Sequence, residues 1–555
     1  MNIVNTIKNL FSRKRKIDFG ISATELRNYF INDPILDWFK HYGEMNGFAR
    51  DSSKNYIDFV MNRGNEFEEY IIGELGKKKN FVNIRENYNE FCEDGVIDTI
   101  NAMKNGIEII YQGYLYNSDL GIYGIPDLLI RGDILSSLFE NDVMMVKPYN
   151  NEFNWNYYVV DIKFSTLHIG KENQILNESG KRFYKAQLFI YNQILDNLFF
   201  GENEYFNQPK AFILSRRIII EGKIHSGLNL LGEVDFNDEP IGGDVDSALN
   251  WVREVKRVGM NWDIYNPHTG NLRPNMKNRN DYPWHNAKQI VSKRMEELTR
   301  VWNVSVKIRE NVKNSGESVM SHFKECRGEI VGKMVGELRI KNEYDGLDKY
   351  IRDDIMNFYV DFEYINGVDL SFEKDTRVHL YMIGVGYEEM GEWEYKVFIP
   401  DYLGDREEKR NINNWINFMR MKSKDNNGYQ IIHWTHAESS LYKRLKRDLR
   451  IRGELNWMDL QVIFRSNGIV YDGMNNFSLK TVAGVMRKLG YIESGWDNEI
   501  VDGLGANLMV IDGLKAGGKL VEMNGMKELI RYNEIDCKVL YEILGYLSSE
   551  AKKNM

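Results

Sequence analysis

Cysteine is scarce: Cys92, Cys326 and Cys537 are the only three in 555 residues, and they stand far apart. That excludes a disulfide framework and a four-thiolate iron–sulfur cluster, and it fits a reducing, intracellular setting. Long apolar runs are missing too. No stretch reaches the ~18 apolar residues needed to cross a bilayer, and the first twenty residues lack the apolar core of a secretory signal, so a soluble chain that avoids the membrane is expected. An excess of positive charge is also absent. Lys plus Arg total 72 against 81 Asp plus Glu, a net charge of −9, which argues against a protein that coats nucleic acid by bulk charge. Enzymes with carboxylate metal sites escape this objection, because bound cations restore local positive charge. No internal repeat or low-complexity tract is visible.

What is present is apolar material for several cores: 43% of residues are hydrophobic and 13% aromatic, enough for roughly three or four domains. Residues 1–19 read as a basic tail. Its Arg13, Lys14, Arg15 and Lys16 suit a nuclear address, a phosphate-binding arm or simply a solvated end. Residues 21–43 and 55–76 have helical spacing, then strands follow over 107–116, 121–131 and 156–166, a helix over 181–200 and a strand over 210–216. The pattern predicts a compact α/β domain over 20–220. Residues 221–350 read as a helical connector, with a helix over 243–258, an extended stretch around Pro267, Pro274 and Pro283, and helical spacing again from 286 to about 324. A second α/β pattern fills 351–555. It has strands over 357–366, 377–386 and 393–399, a helix over 409–422, a strand over 429–434, a helix from Ala437, and helices over 478–489 and 525–547. Three strands followed by alternating helices and strands predict a mixed sheet with flanking helices.

Two constellations carry chemistry. In the first, Gly124, Ile125, Pro126 and Asp127 lie at the centre of one strand-like segment, while Asp161 and Lys163 lie in another and share a face because they are two apart. Acids on apolar strands are costly unless something compensates them, and a divalent cation does so. Phosphodiester hydrolysis uses such parts: carboxylates hold Mg²⁺ or Mn²⁺, the metal activates water, and a lysine positions nucleophile or phosphate. Glu68 in the preceding helix can add a carboxylate, and Gln187 and Tyr191, four apart, share a face of the following helix.

These residues resemble the RecB-like branch of the PD-(D/E)xK nucleases over residues 20–220. The likeness implies Asp127 and Asp161 as metal ligands, Lys163 as the catalytic lysine and Glu68 as an auxiliary acid. It implies that Gln187 and Tyr191 contact substrate or order the site. Some members carry a helix histidine and an iron–sulfur staple. Here Glu68 replaces the histidine and the cysteine set is absent, so no cluster is expected.

In the second constellation Asp361 and Glu363 share one strand face, with Val360, Phe362 and Tyr364 on the other. Two such acids repel unless a cation bridges them. Downstream, the segment His433, Trp434, Thr435, His436, Ala437, Glu438 ends a strand and opens a helix, and Tyr532 precedes Asp536 by one turn on the last helix. Four carboxylates can hold two cations about 4 Å apart for in-line attack on a phosphodiester, and Tyr532 can orient or deprotonate the water.

This set resembles the tyrosine-bearing DEDD 3′-5′ exonucleases of RNase H-like fold, of the YprB type found fused behind RecB-like nucleases, over residues 355–547. Phe477, Ser478, Leu479 and Lys480, and the run Tyr532, Asn533, Glu534, Ile535, Asp536, Cys537, add to the likeness. It implies Asp361, Glu363, Glu438 and Asp536 as ligands of Mg²⁺ or Mn²⁺ and Tyr532 as the water-orienting residue. His436 stands nearby in a supporting role, and Asp459 reads as serving the fold. Residues 285–320 are similar to the helical segment between such domains, but Asn303, Val304 and Ser305 replace the hairpin glycine, which favours a spacer helix pair.

The expectation is a DNA nuclease with two sites, used in repair or recombination by family analogy. RNA as the substrate of the exonuclease domain is the alternative, and the sequence gives no reader of the 2′-OH to decide between the two. A binding scaffold with inactive sites is the third. The sequence does not identify a helicase or other repair partner.

Overall fold

The run of apolar and β-branched residues in Tyr157–Ile169 makes the longest strand of the protein and the centre of its first sheet. The computed structural model describes residues 20–52, 55–77, 80–143, 146–171, 174–178, 180–201, 206–338, 354–366, 377–496 and 503–554, with Val4 and Leu347. The basic tail expected over 1–19, including Arg13 to Lys16, lies outside the described residues. The protein is mixed α/β, and no helix among the described residues is long and apolar enough to cross a membrane. Two compact units emerge among the described residues, one of 20–52 with 60–295 and the other of 296–554 with the short segment 55–59.

In the first unit the strands are β1 (Ile21–Ser22), β2 (Phe81–Asn83), β3 (Ile109–Tyr111), β4 (Leu115–Asn117), β5 (Ile122–Gly124), β6 (Leu128–Arg131), β7 (Tyr157–Ile169), β8 (Lys210–Ile220), β9 (Lys223–Ser226) and β10 (Gly232–Asp235). They form a large mixed sheet in the order β10-β8-β7-β6-β3-β2, with β9 beside β8, and a small sheet β1-β5-β4.

The segments expected as single strands over 107–116 and 121–131 are each broken in two, and each break passes the chain from one sheet to the other. Pro126 cannot donate to a ladder, so β5 stops at Gly124 and β6 starts at Leu128. Asp127 therefore sits at a junction between sheets and not mid-strand. The other crossover places Gln112 at φ 50°, unusual for a residue with a side chain. A hydrogen bond of 2.8 Å from the Gln112 N–H to the Asp127 carbonyl ties the two junctions together.

The helix Lys181–Phe200 packs on this framework through Ala186, Leu188, Ile190, Tyr191, Ile194 and Leu195, all buried. The same core takes in Val245, Ala248, Trp251, Val252 and Val255 of the helix Gly242–Val258. Each buried Val, Leu or Ile among them contributes about 1.5–3 kcal/mol by leaving water. Where the sequence draws a domain edge at 220 and a helical connector beyond, the unit continues through β9, β10 and that helix to Met295, because those elements bury their apolar faces in the first core.

The second unit carries β11 (Met356–Ile365), β12 (His379–Glu389), β13 (Glu392–Phe398), β14 (Tyr429–His433) and β15 (Trp457–Asp459) in one sheet of order β13-β12-β11-β14-β15. The first three are antiparallel, and β14 and β15 run parallel to β11. Phe358, Val360 and Phe362 point into a core with Trp415 and Ile416 of the helix Asp405–Lys422. The alternation stops there. A bulge between Glu363 and Tyr364 shifts the register, leaving Tyr364 38% exposed instead of in the core and burying Ile365. Bulges of this kind re-aim side chains at strand ends. The helix Met526–Asn554 covers the opposite face through Val539, Leu540, Ile543 and Leu547.

The two helices within 285–320 divide between the units: His285–Arg294 belongs to the first and Val306–Ser315 to the second. Asn303 between them takes φ 61°, a conformation asparagine tolerates better than most residues, and Ser305 caps the second helix by accepting from the Ile308 N–H at 3.3 Å.

Candidate functional sites

The first cluster forms where the two-sheet junction meets β7. The Asp127 carboxylate accepts a 2.6 Å hydrogen bond from the Ile162 N–H, which pins it to that strand between Asp161 and Lys163. Lys163 Nζ lies 2.5 Å from Asp161 Oδ2, and the Asp161 side chain is 1% exposed. Neither buried oxygen of Asp161 makes a hydrogen bond of regular geometry. Burial, then the charge of Asp161, push the Asp127 carboxyl well above its ordinary range, and Lys163 only partly offsets them. Burial by itself would lower the Lys163 pKa, yet Asp161 and Asp127 raise it, so the lysine stays a firm cation. Two buried acids that share one lysine in a dry setting are a strong acceptor of a second positive charge.

Glu68, on the helix Asn55–Gly76, joins by charge, since it too raises Asp127. Its Oε1 accepts from the Tyr111 hydroxyl at 2.8 Å and from Gln112 Nε2 at 3.2 Å. Gln187 and Tyr191 meet each other at 2.9 Å, and the Tyr191 hydroxyl reaches the Ile125 carbonyl at 3.4 Å. A Cβ at Gly124 would stand 2.2 Å from the Tyr191 ring, so only glycine lets this tyrosine slide under the junction. The fold thus gathers Glu68, Asp127, Asp161, Lys163, Gln187 and Tyr191 in one place. Tyr111 and Gln112, which hold Glu68, and Tyr184, whose ring lies 5.5 Å from Lys163 Nζ, do not stand out in the sequence. Only the unusual backbone at Gln112 identifies that corner.

The second cluster is built on β11. Asp361 and Glu363 project from it, Glu438 comes from the start of the helix Ala437–Asp448, and Asp536 from the long last helix. Burial, then Asp536, Glu363 and Glu438, push Asp361 well above the carboxylate range. Burial, then Asp536 and Glu438, raise Glu363 to about 8, with Lys480 and the Tyr381 hydroxyl pulling the other way. Burial raises Asp536 to about 7 against Lys480 and the Trp496 indole. Asp361, Glu363 and Asp536 are therefore each raised by neighbouring acids, Glu438 among them. Asp536 and Glu438 are buried, while Asp361 and Glu363 keep a partial opening to solvent.

Tyr532, 8% exposed, stands one turn before Asp536, with Lys480 Nζ 5.3 Å from its ring centre. His433 approaches Glu438 at 3.3 Å, whereas His436 is exposed at the helix cap. Asp459 serves the fold, its Oδ1 accepting from the backbone of Thr435 and Gln461 at 3.0 Å each. Sequence reasoning left Lys480 without a role, although it is the cation named against both Glu363 and Asp536.

Among the described residues, no three His, Cys, Asp or Glu side chains converge closely enough to hold a metal ion as they stand. The donor sets are nonetheless of the hard-oxygen type that Mg²⁺ and Mn²⁺ take, with Asp361 and Glu363 raised by neighbouring acids and Asp161 buried against Lys163 as its ion-pair partner. Comparison with protein-family models finds no match, and comparison with curated proteins finds no relative.

Proposed function

We propose that this protein is a metal-dependent nuclease with two phosphodiesterase centres: a RecB-like PD-(D/E)xK centre in the first unit and a DEDD-type 3′-5′ exonuclease centre on an RNase H-like sheet in the second. The observation that carries the reading is the second cluster. Four carboxylates from three elements meet beside a buried tyrosine, and burial together with neighbouring acids raises Asp361, Glu363 and Asp536. Burying so much like charge is costly without a partner ion. The antiparallel-then-parallel strand order supports the same reading, because it brings β11 and β14 side by side and so delivers Asp361, Glu363 and Glu438 to one end of the sheet.

Asp361, Glu363, Glu438 and Asp536 would hold the metal in the second unit, and Asp127 and Asp161, with Glu68, in the first. When bound, Mg²⁺ or Mn²⁺ supplies Lewis-acid activation of water and neutralises phosphate charge. The protein's own groups do the rest. The Tyr532 hydroxyl orients the attacking water or takes its proton. Lys480, charged and open to solvent, meets a backbone phosphate at the rim. In the first unit Lys163, held cationic by two aspartates, positions nucleophile and phosphate, and Gln187 with Tyr191 keeps the junction in shape. DNA is the proposed substrate, in a repair or recombination setting.

The test is cleavage of end-labelled single- and double-stranded DNA and RNA with Mg²⁺ or Mn²⁺, using wild type, Lys163→Ala and Asp361→Ala. Each substitution should remove a different product ladder. A wild type that cuts nothing with either metal would sink the proposal in favour of a binding scaffold.

A further inference from the structure

Asp361 is not held by its strand alone. Asn533, fully buried on the last helix, donates from Nδ2 to Asp361 Oδ2 at 2.7 Å. Its own Oδ1 accepts from the Tyr395 hydroxyl at 2.9 Å, and Tyr395 comes from β13, two strands away. Gly384 lies between them, paired to Asp361 in the register of β11 and β12. A Cβ at Gly384 would stand 1.6 Å from Asn533 Oδ1 and 2.9 Å from the Tyr395 hydroxyl. The glycine has φ outside the left-handed region, so what it provides here is space and not backbone freedom. A glycine in mid-strand costs stability. This one opens the sheet face where an amide must reach the acid.

An amide that only needed a partner in the core could donate to a backbone carbonyl. Asn533 does reach the Asp361 backbone carbonyl, but only at 3.4 Å; its short bond goes to the carboxylate, and its amide orientation is fixed by a hydroxyl at the other end, because the O–H must face the carbonyl oxygen and the N–H₂ must then face Asp361. The chain Tyr395, Asn533, Asp361 thus engages Oδ2 of Asp361 and leaves Oδ1 outside the relay. Groups that orient a ligating carboxylate in this way typically change metal affinity or activity by 10–100-fold when removed.

We infer that Asn533, oriented by Tyr395 through the gap at Gly384, is the positioning residue that sets the metal-facing oxygen of Asp361. The inference rests on the proposed metal centre of the second unit. The test uses the full-length chain with Asp161→Ala to silence the first centre, and measures Mn²⁺ binding by electron paramagnetic resonance of the free ion, with thermal melting in parallel.

Asn533→Ala should weaken Mn²⁺ binding roughly 10- to 100-fold. Tyr395→Phe, which keeps the ring and the packing, should weaken it several-fold without lowering the melting temperature appreciably. The double variant should bind no more weakly than Asn533→Ala alone, because the hydroxyl acts only through the amide. A merely structural pair would shift melting and leave affinity alone.

If Asp361→Ala loses Mn²⁺ while Asn533→Ala and Tyr395→Phe retain wild-type affinity, the relay is overturned and the metal centre stands. If the parent chain binds no Mn²⁺, the centre and the relay fall together.

Discussion

The two acid clusters solve the same electrostatic problem differently. In the first unit a lysine sits inside the cluster, 2.5 Å from Asp161, and part of the negative charge is cancelled before any cation arrives. In the second the nearest cation, Lys480, is at the exposed rim, and the cost falls on the acids, which reach about 8 at Glu363 and about 7 at Asp536. An internal lysine compensates part of its cluster's charge without metal, although Asp127 stays raised beside it. Uncancelled carboxylates make one whose charge state depends on pH and on metal. The first should therefore tolerate metal removal, and the second should report on it.

The sharpest way to break this contrast is to remove one member of each cluster. Asp361→Ala should lower cleavage at the second centre on the order of a thousandfold, the equivalent of several kcal/mol of transition-state stabilisation, and leave the first centre's products intact. Lys163→Ala should do the converse, with a further effect peculiar to it. Taking away the internal cation leaves Asp127 and Asp161 facing each other buried, so this variant should gain more thermal stability from added Mg²⁺ than wild type does. Gel ladders and melting curves with and without EDTA read both. Equal loss of both product sets from either substitution would show a single shared centre.

The next effect is one of pH. A carboxyl whose pKa folding has raised contributes its full stability below the ordinary carboxylate range and loses it as pH climbs through the folded value. For Glu363 and Asp536 that window runs from about 4 to about 8 and about 7, respectively. In EDTA the protein should melt at lower temperature as pH rises through this window, by roughly 2–4 °C per kcal/mol lost, and Mg²⁺ should flatten the slope. Glu363→Gln removes one titrating group and should make the EDTA slope shallower. An unchanged slope would place the titration elsewhere, Asp127 being the alternative.

Lys480→Gln sharpens the comparison further by turning the second cluster into one with no cation at its rim. Since Lys480 pulls Glu363 and Asp536 down, its loss should move the acidic limb of the pH–rate profile to higher pH. The shift should be under about one unit, because an exposed charge is screened by solvent and salt. A profile that does not move would leave Lys480 as a phosphate contact only, visible in KM.

Much of this was legible in the sequence because period and chemistry agreed. β11 alternates apolar and acidic residues, and its acids could be read as a pair. The long last helix spaces Tyr532 and Asp536 by one turn. What escaped was set by contacts distant along the chain. The breaks at Gln112 and Pro126 that pass the chain between sheets look like continuous strands until the second sheet exists to receive them. The bulge after Glu363 depends on β12. Asn533 is one residue in a motif whose tyrosine and aspartate draw attention, and its role rests on a glycine and a tyrosine some 140 positions earlier, at a separation of 138 for Tyr395. Helical periodicity over 243–258 gave the helix but could not say which core it completes.

The smallest effect tests whether proximity to a cluster is enough to make an acid part of it. Asp459 lies at the end of β15, paired with His433 at the end of β14 and close in chain order to the helix that carries Glu438, yet its hydrogen bonds go to backbone N–H groups. One of these holds Thr435, which sits at φ 68°, an unfavourable conformation for a β-branched residue. The other caps the helix Leu460–Ser466. Asp459→Ala should cost about 1–2 kcal/mol of stability, the usual value of a lost cap, and Asp459→Asn, which keeps an accepting oxygen, should recover most of it. Because the carboxylate's charge is not in use, Mn²⁺ affinity and cleavage in Asp459→Asn should stay within about twofold of wild type, a shift of under about 0.5 kcal/mol. A large loss of metal affinity in Asp459→Asn at unchanged melting temperature would mean that the second cluster has five acids, and that Asp459 reaches it when the cation is bound.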